Sequence, residues 1–416
     1  MRILILVDCY FPIYKSGAKQ IHDLGAEFLR HGHEVTVLTT THEISHDLEV
    51  SMQRGVCVAR VRTPQIKGAS NLRRGFNEIR ISALVWRKAG GFLSKHPADL
   101  IVFYSPTIFL GALVSRLKAM WHCRSYLILR DIFPEWALNA GVLKRGLTYR
   151  FFRKKEIEQY GAADIIGVQS EGDLEYFGRN FGLGRFRLEV LLNWTKLDES
   201  NPPKTEFRLR LGLVNRIVFF FGGNIGIAQD IDNLIRLAAS LAGDSRIFFL
   251  IVGEGSEARR LEATIAERRL PNIRRLPPIE QREYISMVSE FDVGLISLDR
   301  RLKNHNIPGK LLSYFYSEIP VLASINAGSD LFALLEGNQA GICVANGDDE
   351  GLRAAALQLA SDRDLRQRMG RNGRLLLEEK FTVESAAQQI MQHLPRPVLS
   401  LVPRVLLPAV KEPVTS

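Results

Sequence analysis

The sequence predicts an α/β protein of two doubly wound, Rossmann-like domains facing a central cleft. Three observations predict it. Continuous apolar runs such as Ile3–Val7, Ile165–Val168 and Ile247–Val252 have the composition of strands covered on both faces, as in parallel sheets. Segments of helical periodicity separate most of these runs, which is the rhythm of βαβ units. That rhythm breaks at Asn201-Pro202-Pro203-Lys204 and then restarts, so a chain of 416 residues divides into two similar halves.

In the first domain, 1–198, the strand Ile3–Val7 passes through the loop Asp8–Gly17 into a helix. That helix carries Ile21, Leu24, Phe28 and Leu29 on one face and stops at Gly32. Val35–Leu38, Leu100–Phe103, Tyr126–Leu129, Ile165–Val168 and Leu188–Leu192 read as further strands. The second domain, 199–380, opens with Ile217–Phe221, a glycine-rich turn and a helix over Asp232–Leu241. Strands Ile247–Val252, Val293–Ile296, Pro320–Ala323 and Ile342–Val344 follow, with an aromatic-rich helix, Leu311–Tyr316, before Pro320. Helices are expected from Asp349 to about Ala360 and from Asp364 to Glu379. A last helix within 381–394 is expected to pack back toward the first domain. Residues 395–416 contain Pro395, Pro397, Pro403, Pro408 and Pro413, too many for a helix or strand.

Composition narrows the function classes. Cys9, Cys57, Cys123 and Cys343 lie far apart with no CxxC spacing, which fits a reducing compartment and argues against structural zinc or a disulfide framework. The opening MRILILVD is too short a run for a secretory signal, and Leu100–Ser115, interrupted by Pro106, is too short to span a bilayer. A cytoplasmic protein is expected. The net charge of +10 fits a nucleic acid, an anionic lipid surface or a phosphorylated substrate. No nucleic-acid-binding motif accompanies it, and no nucleic-acid partner is expected. Lys144, Arg145, Arg150, Arg153, Lys154 and Lys155 alternate with Leu143, Leu147, Tyr149, Phe151 and Phe152; Arg73, Arg74, Arg80, Arg87 and Lys88 flank Phe76, Ile79, Leu84, Val85 and Trp86. Cations beside large apolar side chains suit a membrane interface, or else a core helix with a basic outer face.

Pro308-Gly309-Lys310, where a polar loop becomes a helix, is the most informative short segment. Unpaired first-turn N–H groups and a lysine charge make an anion site there; a surface lysine beside ordinary helix punctuation is the plainer alternative. Gly17 lets a ligand approach the backbone closely, or simply makes a strand–helix turn. Asp131 and Glu135 flank Pro134 after a buried strand, placed either to orient a ligand's hydroxyls or to cap and pair with Arg130. His305 is a loop histidine that could hydrogen-bond a bound ligand, or be solvated. Asp230-Ile231-Asp232 reads as helix capping rather than a metal-binding DxD, and no metal or cofactor is expected.

Together these segments resemble family 4 glycosyltransferases, retaining enzymes of GT-B fold that use nucleotide sugars. The resemblance covers nearly the whole chain. Ser16-Gly17-Ala18 resembles the family's first loop, Leu191-Leu192-Asn193 its Pro-Asn-Gly, and Phe221-Gly222-Gly223-Asn224-Ile225-Gly226 and Val252-Gly253-Glu254-Gly255 its two glycine turns. Arg130-Asp131-Ile132-Phe133-Pro134-Glu135, with Gly223-Asn224-Ile225-Gly226 and Ala228-Gln229, is similar to bacterial N-acetyl-L-fucosamine transferases of O-antigen and capsule assembly. The resemblance implies a UDP-linked donor, a lipid-linked saccharide acceptor at the inner membrane surface, and retention of configuration.

Several positions depart from the family. Its two glutamates correspond to His305 and Ser313, its diphosphate-binding Arg and Lys to Asn224 and Gln229, and a common histidine to Arg130. The expected site is therefore Asp131, His305 and Lys310 as catalytic groups. Gly17, Gly222, Gly223, Asn224, Gln229, Gly253, Glu254, Pro308, Gly309 and Ser313 are assigned to the donor. Glu135, Arg150, Arg153, Lys154 and Lys155 are assigned to the acceptor or membrane. The competing readings are a non-hydrolysing UDP-sugar epimerase and a catalytically idle sugar-nucleotide-binding subunit.

Overall fold

The computed structural model describes residues 1–11, 16–64, 78–105, 107–139, 141–197, 206–301 and 307–394. Its first sheet has the strands β1 (Arg2–Leu6), β2 (Glu34–Thr41), β3 (Leu48–Gln53), β4 (Val56–Arg62), β5 (Leu100–Tyr104), β6 (Arg124–Ile128), β7 (Ile165–Val168) and β8 (Leu188–Val190). They are ordered β3-β4-β2-β1-β5-β6-β7-β8. The second sheet has β9 (Ile217–Gly222), β10 (Ile247–Val252), β11 (Ile273–Leu276), β12 (Val293–Ser297), β13 (Val321–Ile325) and β14 (Gly341–Ala345). Their order is β11-β10-β9-β12-β13-β14, and every pair is parallel.

The continuous apolar strands are buried along their length, as β5, β10 and β12 show, because helices cover both faces of each sheet. On one side of the first sheet, helices Ile81–Lys95, Gly111–Trp121, Leu147–Ala162 and Glu171–Phe181 contribute Val85, Val114, Tyr160 and Phe177 to the core. On the other side lies the helix Ser16–Arg30 with Ile21, Leu24 and Phe28. Val383, Ala387 and Ile390 of the helix Val383–Met391 belong to that same core, so this helix completes the first domain's packing. Glu189 accepts from Tyr126 and Gln389 and pairs with His393 at 2.9 Å, which holds the helix in place.

Strand order reverses at β1/β5 in the first sheet and at β9/β12 in the second. Open α/β sheets bind ligands beyond the carboxyl ends of strands at such switch points.

Two parts of the sheets were not evident from sequence. The β3–β4 hairpin is the antiparallel edge of the first sheet; its turn, Arg54-Gly55, has φ of 51° and 87°, the conformation of a two-residue hairpin loop without the usual Asn-Gly signal. β11 is a four-residue edge strand with charged Arg274 and Arg275, too polar to stand out by pattern.

Candidate active site

The second domain's wall of the cleft is built from two interlocked turns. β9 runs into Gly223 with φ +115°, and β10 into Gly253 with φ +152°. Gly223 N–H donates to the Val252 carbonyl at 2.9 Å, and Ile225 N–H to that of Glu254 at 2.7 Å. A Cβ on Gly253 would overlap the Gly223 carbonyl, so the backbones touch only because Gly253 lacks a side chain. Arg275 donates to the Gly253 carbonyl at 2.7 Å and fixes the second turn from behind. Gln229 Oε1 accepts from Gly226 N–H at 3.1 Å and Asn224 Nδ2 at 3.3 Å. The Gln229 carboxamide therefore braces its own loop. Glu254 is exposed and takes part in the wall through its backbone.

Lys310 lies against this wall. Its Nζ sits 3.2 Å from the centroid of the Phe221 ring, and its side chain reaches toward Gly223. The residue keeps some exposed surface, but the amine is enclosed, and burial pushes its pKa well below the ordinary 10.5. No carboxylate pairs with it among the described residues; the aromatic face supplies its stabilisation. Lys310 is the first residue of the helix Lys310–Tyr316, one position earlier than the sequence indicated. At seven residues that helix has little dipole to offer, so the amine rather than the helix end is the anion-binding element. Pro308 is half-buried and Gly309 exposed at its start, and Tyr314 anchors it by donating to the Phe220 and Leu295 carbonyls at 3.2 and 3.1 Å. Ser313 is half-buried on the same helix. His305 lies outside the described residues.

The first domain's wall gathers at the ends of β1, β5 and β6. Gly17 is in the first turn of its helix rather than in a loop, and a Cβ there would come within 3.0 Å of the Tyr104 hydroxyl. It is small because Tyr104 packs against it. Burial lifts the Tyr104 hydroxyl to about 12, with Arg130 pulling it down and Asp131 and Asp8 pushing it up, so these groups share one electrostatic environment. Arg130 is buried, donating to the Leu191 and Leu192 carbonyls at 2.7 and 3.3 Å and lying over Trp194. Asp131 is largely shielded from water; burial raises its carboxyl above the ordinary value, and Arg130 only partly opposes the rise. A shielded carboxyl of raised pKa at a strand end is a functional-site signature.

Asn193 joins the walls. Its Nδ2 donates to Gln169 Oε1 at 3.1 Å and, across the domains, to the Ile307 carbonyl at 3.2 Å, three residues before Lys310. Tyr104 was not singled out by sequence; it is the last residue of its strand, and that position was the available signal. Asn193 was noted within Leu191-Leu192-Asn193, but without a bridging role.

The basic helix Leu147–Ala162 corrects part of its assignment. Arg153 turns inward to pair with fully buried Glu156 at 2.7 Å and to lie 4.2 Å over Phe181. It belongs to the fold, because its charge answers a buried carboxylate that desolvation pushes up. Lys155 pairs with Glu158 at 2.7 Å, and Glu135 accepts from Tyr149 at 2.9 Å. Exposed instead are Lys144, Arg145, Arg150 and Lys154, beside Val142, Leu147 and Phe151. In the other basic segment, Arg73, Arg74 and Phe76 lie outside the described residues. Its helix buries Val85 and pairs Lys88 with Asp47, as an ordinary core helix does. Asp230 occupies an N-cap position but does not cap: its carboxylate accepts from Asn346, while Asp232 pairs with Arg260. Among the described residues no cluster of three or more His, Cys, Asp or Glu could hold a metal.

Comparison with known proteins agrees with this architecture. Residues 17–194 match the glycosyl transferase 4-like domain, and residues 204–376 match glycosyl transferases group 1. The probable glycosyltransferase WbjE of Pseudomonas aeruginosa is 24% identical over 214 residues, covering 50% of this chain and 53% of that protein. The chain thus spans about half the length of the curated relatives it matches. Among solved structures, WaaG, described as a glycosyltransferase involved in lipopolysaccharide biosynthesis, is 16% identical with a TM-score of 0.68, covering 95% of this chain and 100% of that one. Anabaena Alr3699/HepE in complex with UDP is 15% identical with a TM-score of 0.68, covering 95% and 99%. The fold is GT-B, and the two halves carry glycosyltransferase domains.

Proposed function

We propose that this chain, built of a glycosyl transferase 4-like and a group 1 domain, is a retaining hexosyltransferase of bacterial surface polysaccharide assembly. It moves a sugar, an N-acetylated deoxyamino sugar by the resemblance of its motifs, from a UDP-linked donor to a lipid-linked acceptor. The observation that carries the reading is Lys310: an enclosed amine on an aromatic face, with no carboxylate partner among the described residues, beside the Gly222-Gly223 turn. Such a cation lacks an anion, and a nucleotide diphosphate supplies one. The UDP bound by HepE, a protein of the same fold, is consistent with that assignment.

As the glycosidic bond breaks, negative charge grows on the departing diphosphate, and Lys310 stabilises it in a site shielded from water. The departing phosphate oxygen takes the proton of the incoming hydroxyl on the same face of the sugar, which gives retention without a protein nucleophile. Asp131, from the opposite wall, orients a substrate hydroxyl. The exposed cations Arg150 and Lys154 with Leu147 and Phe151 hold the first domain on the anionic inner surface of the cytoplasmic membrane, where a lipid-linked acceptor resides.

A thermal-shift screen of nucleotide sugars tests the donor. Ligands that bind only the folded state raise the melting temperature. UDP-sugars should raise it while GDP- and dTDP-sugars do not; a shift with another nucleotide class, or with none, overturns the donor assignment.

A further inference from the structure

Away from the donor wall, the β3–β4 hairpin encloses a cavity of about 300 Å³ with the end of β2 and Tyr10-Phe11, the residues by which the chain leaves β1. The volume is at the small end for ligand sites. Its lining is hydroxyl-rich and partly aromatic, with Phe11, Thr39, Thr40 and Arg60 inside and Glu43 and Glu49 at the hairpin side.

Two features mark it as a built site. Arg60 is buried and rigidly held: Nη2 donates to the Phe11 carbonyl at 2.7 Å, Nη1 to Ser51 Oγ at 3.3 Å, and the Gln53 carboxamide, turned oxygen-first, accepts from Nη2 at 2.9 Å. Thr39 is 2% exposed, lines the cavity, and its Oγ1 has no hydrogen-bond partner. A buried hydroxyl left without a partner is uncommon and costs stability unless a ligand or water satisfies it. Thr40, beside it, donates to the Asp8 carbonyl at 3.2 Å, so the cavity wall is continuous with the loop that borders the cleft.

We infer that this cavity is a saccharide subsite, which takes a neutral sugar unit of the acceptor next to the one being glycosylated. The inference rests on the transferase reading above. Neutrality follows from charge. The one guanidinium is committed to Phe11, Ser51 and Gln53, whereas Glu43 and Glu49 are exposed and form no ion pair among the described residues. Carboxylates accept hydrogen bonds from sugar hydroxyls and repel phosphate or a sugar acid.

Saturation-transfer NMR with neutral methyl hexosides and N-acetylhexosaminides, and with methyl glucuronide as the charged counterpart, tests the inference on the whole chain. Neutral glycosides should give signals and the glucuronide weaker ones. Thr41→Trp, which fills the cavity, should abolish them. Thr39→Val should weaken binding by about two- to tenfold, as loss of one hydrogen bond does, while melting at or above the parent. Absence of signal from every neutral glycoside at millimolar concentration overturns the subsite. So does equal binding to parent and to a folded Thr41→Trp, or to a Thr39→Val that loses nothing, or preference for the glucuronide. A UDP titration on the same samples separates the two readings: UDP bound without glycoside sinks only the subsite, and UDP unbound sinks the transferase reading beneath it.

Discussion

Lys310 and Asp131 occupy opposite walls, and burial shifts each toward its neutral form. For Lys310 the folded pKa is depressed below 10.5, so between those values the unfolded chain binds more protons and stability rises with pH. A bound diphosphate restores the charge. UDP binding in that window should therefore take up a proton, seen as calorimetric enthalpies that depend on buffer ionisation, and Lys310→Met should remove the dependence. For Asp131 the folded pKa is raised, so its contribution to stability is present at low pH and lost as pH rises through that value. Asp131→Asn should consequently melt at or above the parent at neutral pH while turnover falls by roughly a hundredfold through lost orientation of the hydroxyl. A variant that melts lower with unchanged turnover would make Asp131 structural. Lys310 was legible because a short motif announces it. Tyr104 and the bridging role of Asn193 were not, because they depend on strand ends meeting in space.

At the scale of elements, periodicity located most strands and helices to within a residue or two, as with Ile165–Val168 and Ile247–Val252. It missed the β3–β4 hairpin, where Arg54-Gly55 makes a tight turn without a recognisable turn pair. It also could not divide the basic helix Leu147–Ala162 into faces, because cations alternate with aromatics all round it. The structure divides it, and the division is testable. Arg153→Ala leaves Glu156 buried without its partner and should destabilise the fold by ~3–5 kcal/mol. Arg150→Glu with Lys154→Glu should leave the melting temperature unchanged and release the protein from anionic vesicles, with salt doing the same to the parent. Unchanged vesicle sedimentation of the double variant would remove this helix from the membrane contact.

Over the whole molecule, two mainly parallel sheets present their switch points to one cleft, and contacts from several elements join the domains. Asn193 reaches the Ile307 carbonyl, the Gly172 N–H donates to Asp330 at 2.9 Å, and Val383–Met391 returns to the first domain's core. The two-domain plan was legible because a proline-rich break interrupts a βαβ rhythm. The return of the last helix was expected; the Asn193 and Gly172 bridges were not, because each joins residues more than a hundred positions apart. The account centres on a donor diphosphate held by Lys310 at the Gly222-Gly223 turn, and calorimetric titration of UDP into the parent chain and Lys310→Ala tests it most directly. It predicts binding to the parent and a loss of roughly ten- to a hundredfold in the variant, the range of a charged hydrogen bond, with the variant still folded. Equal affinity in both, or no UDP binding to the parent, would contradict it.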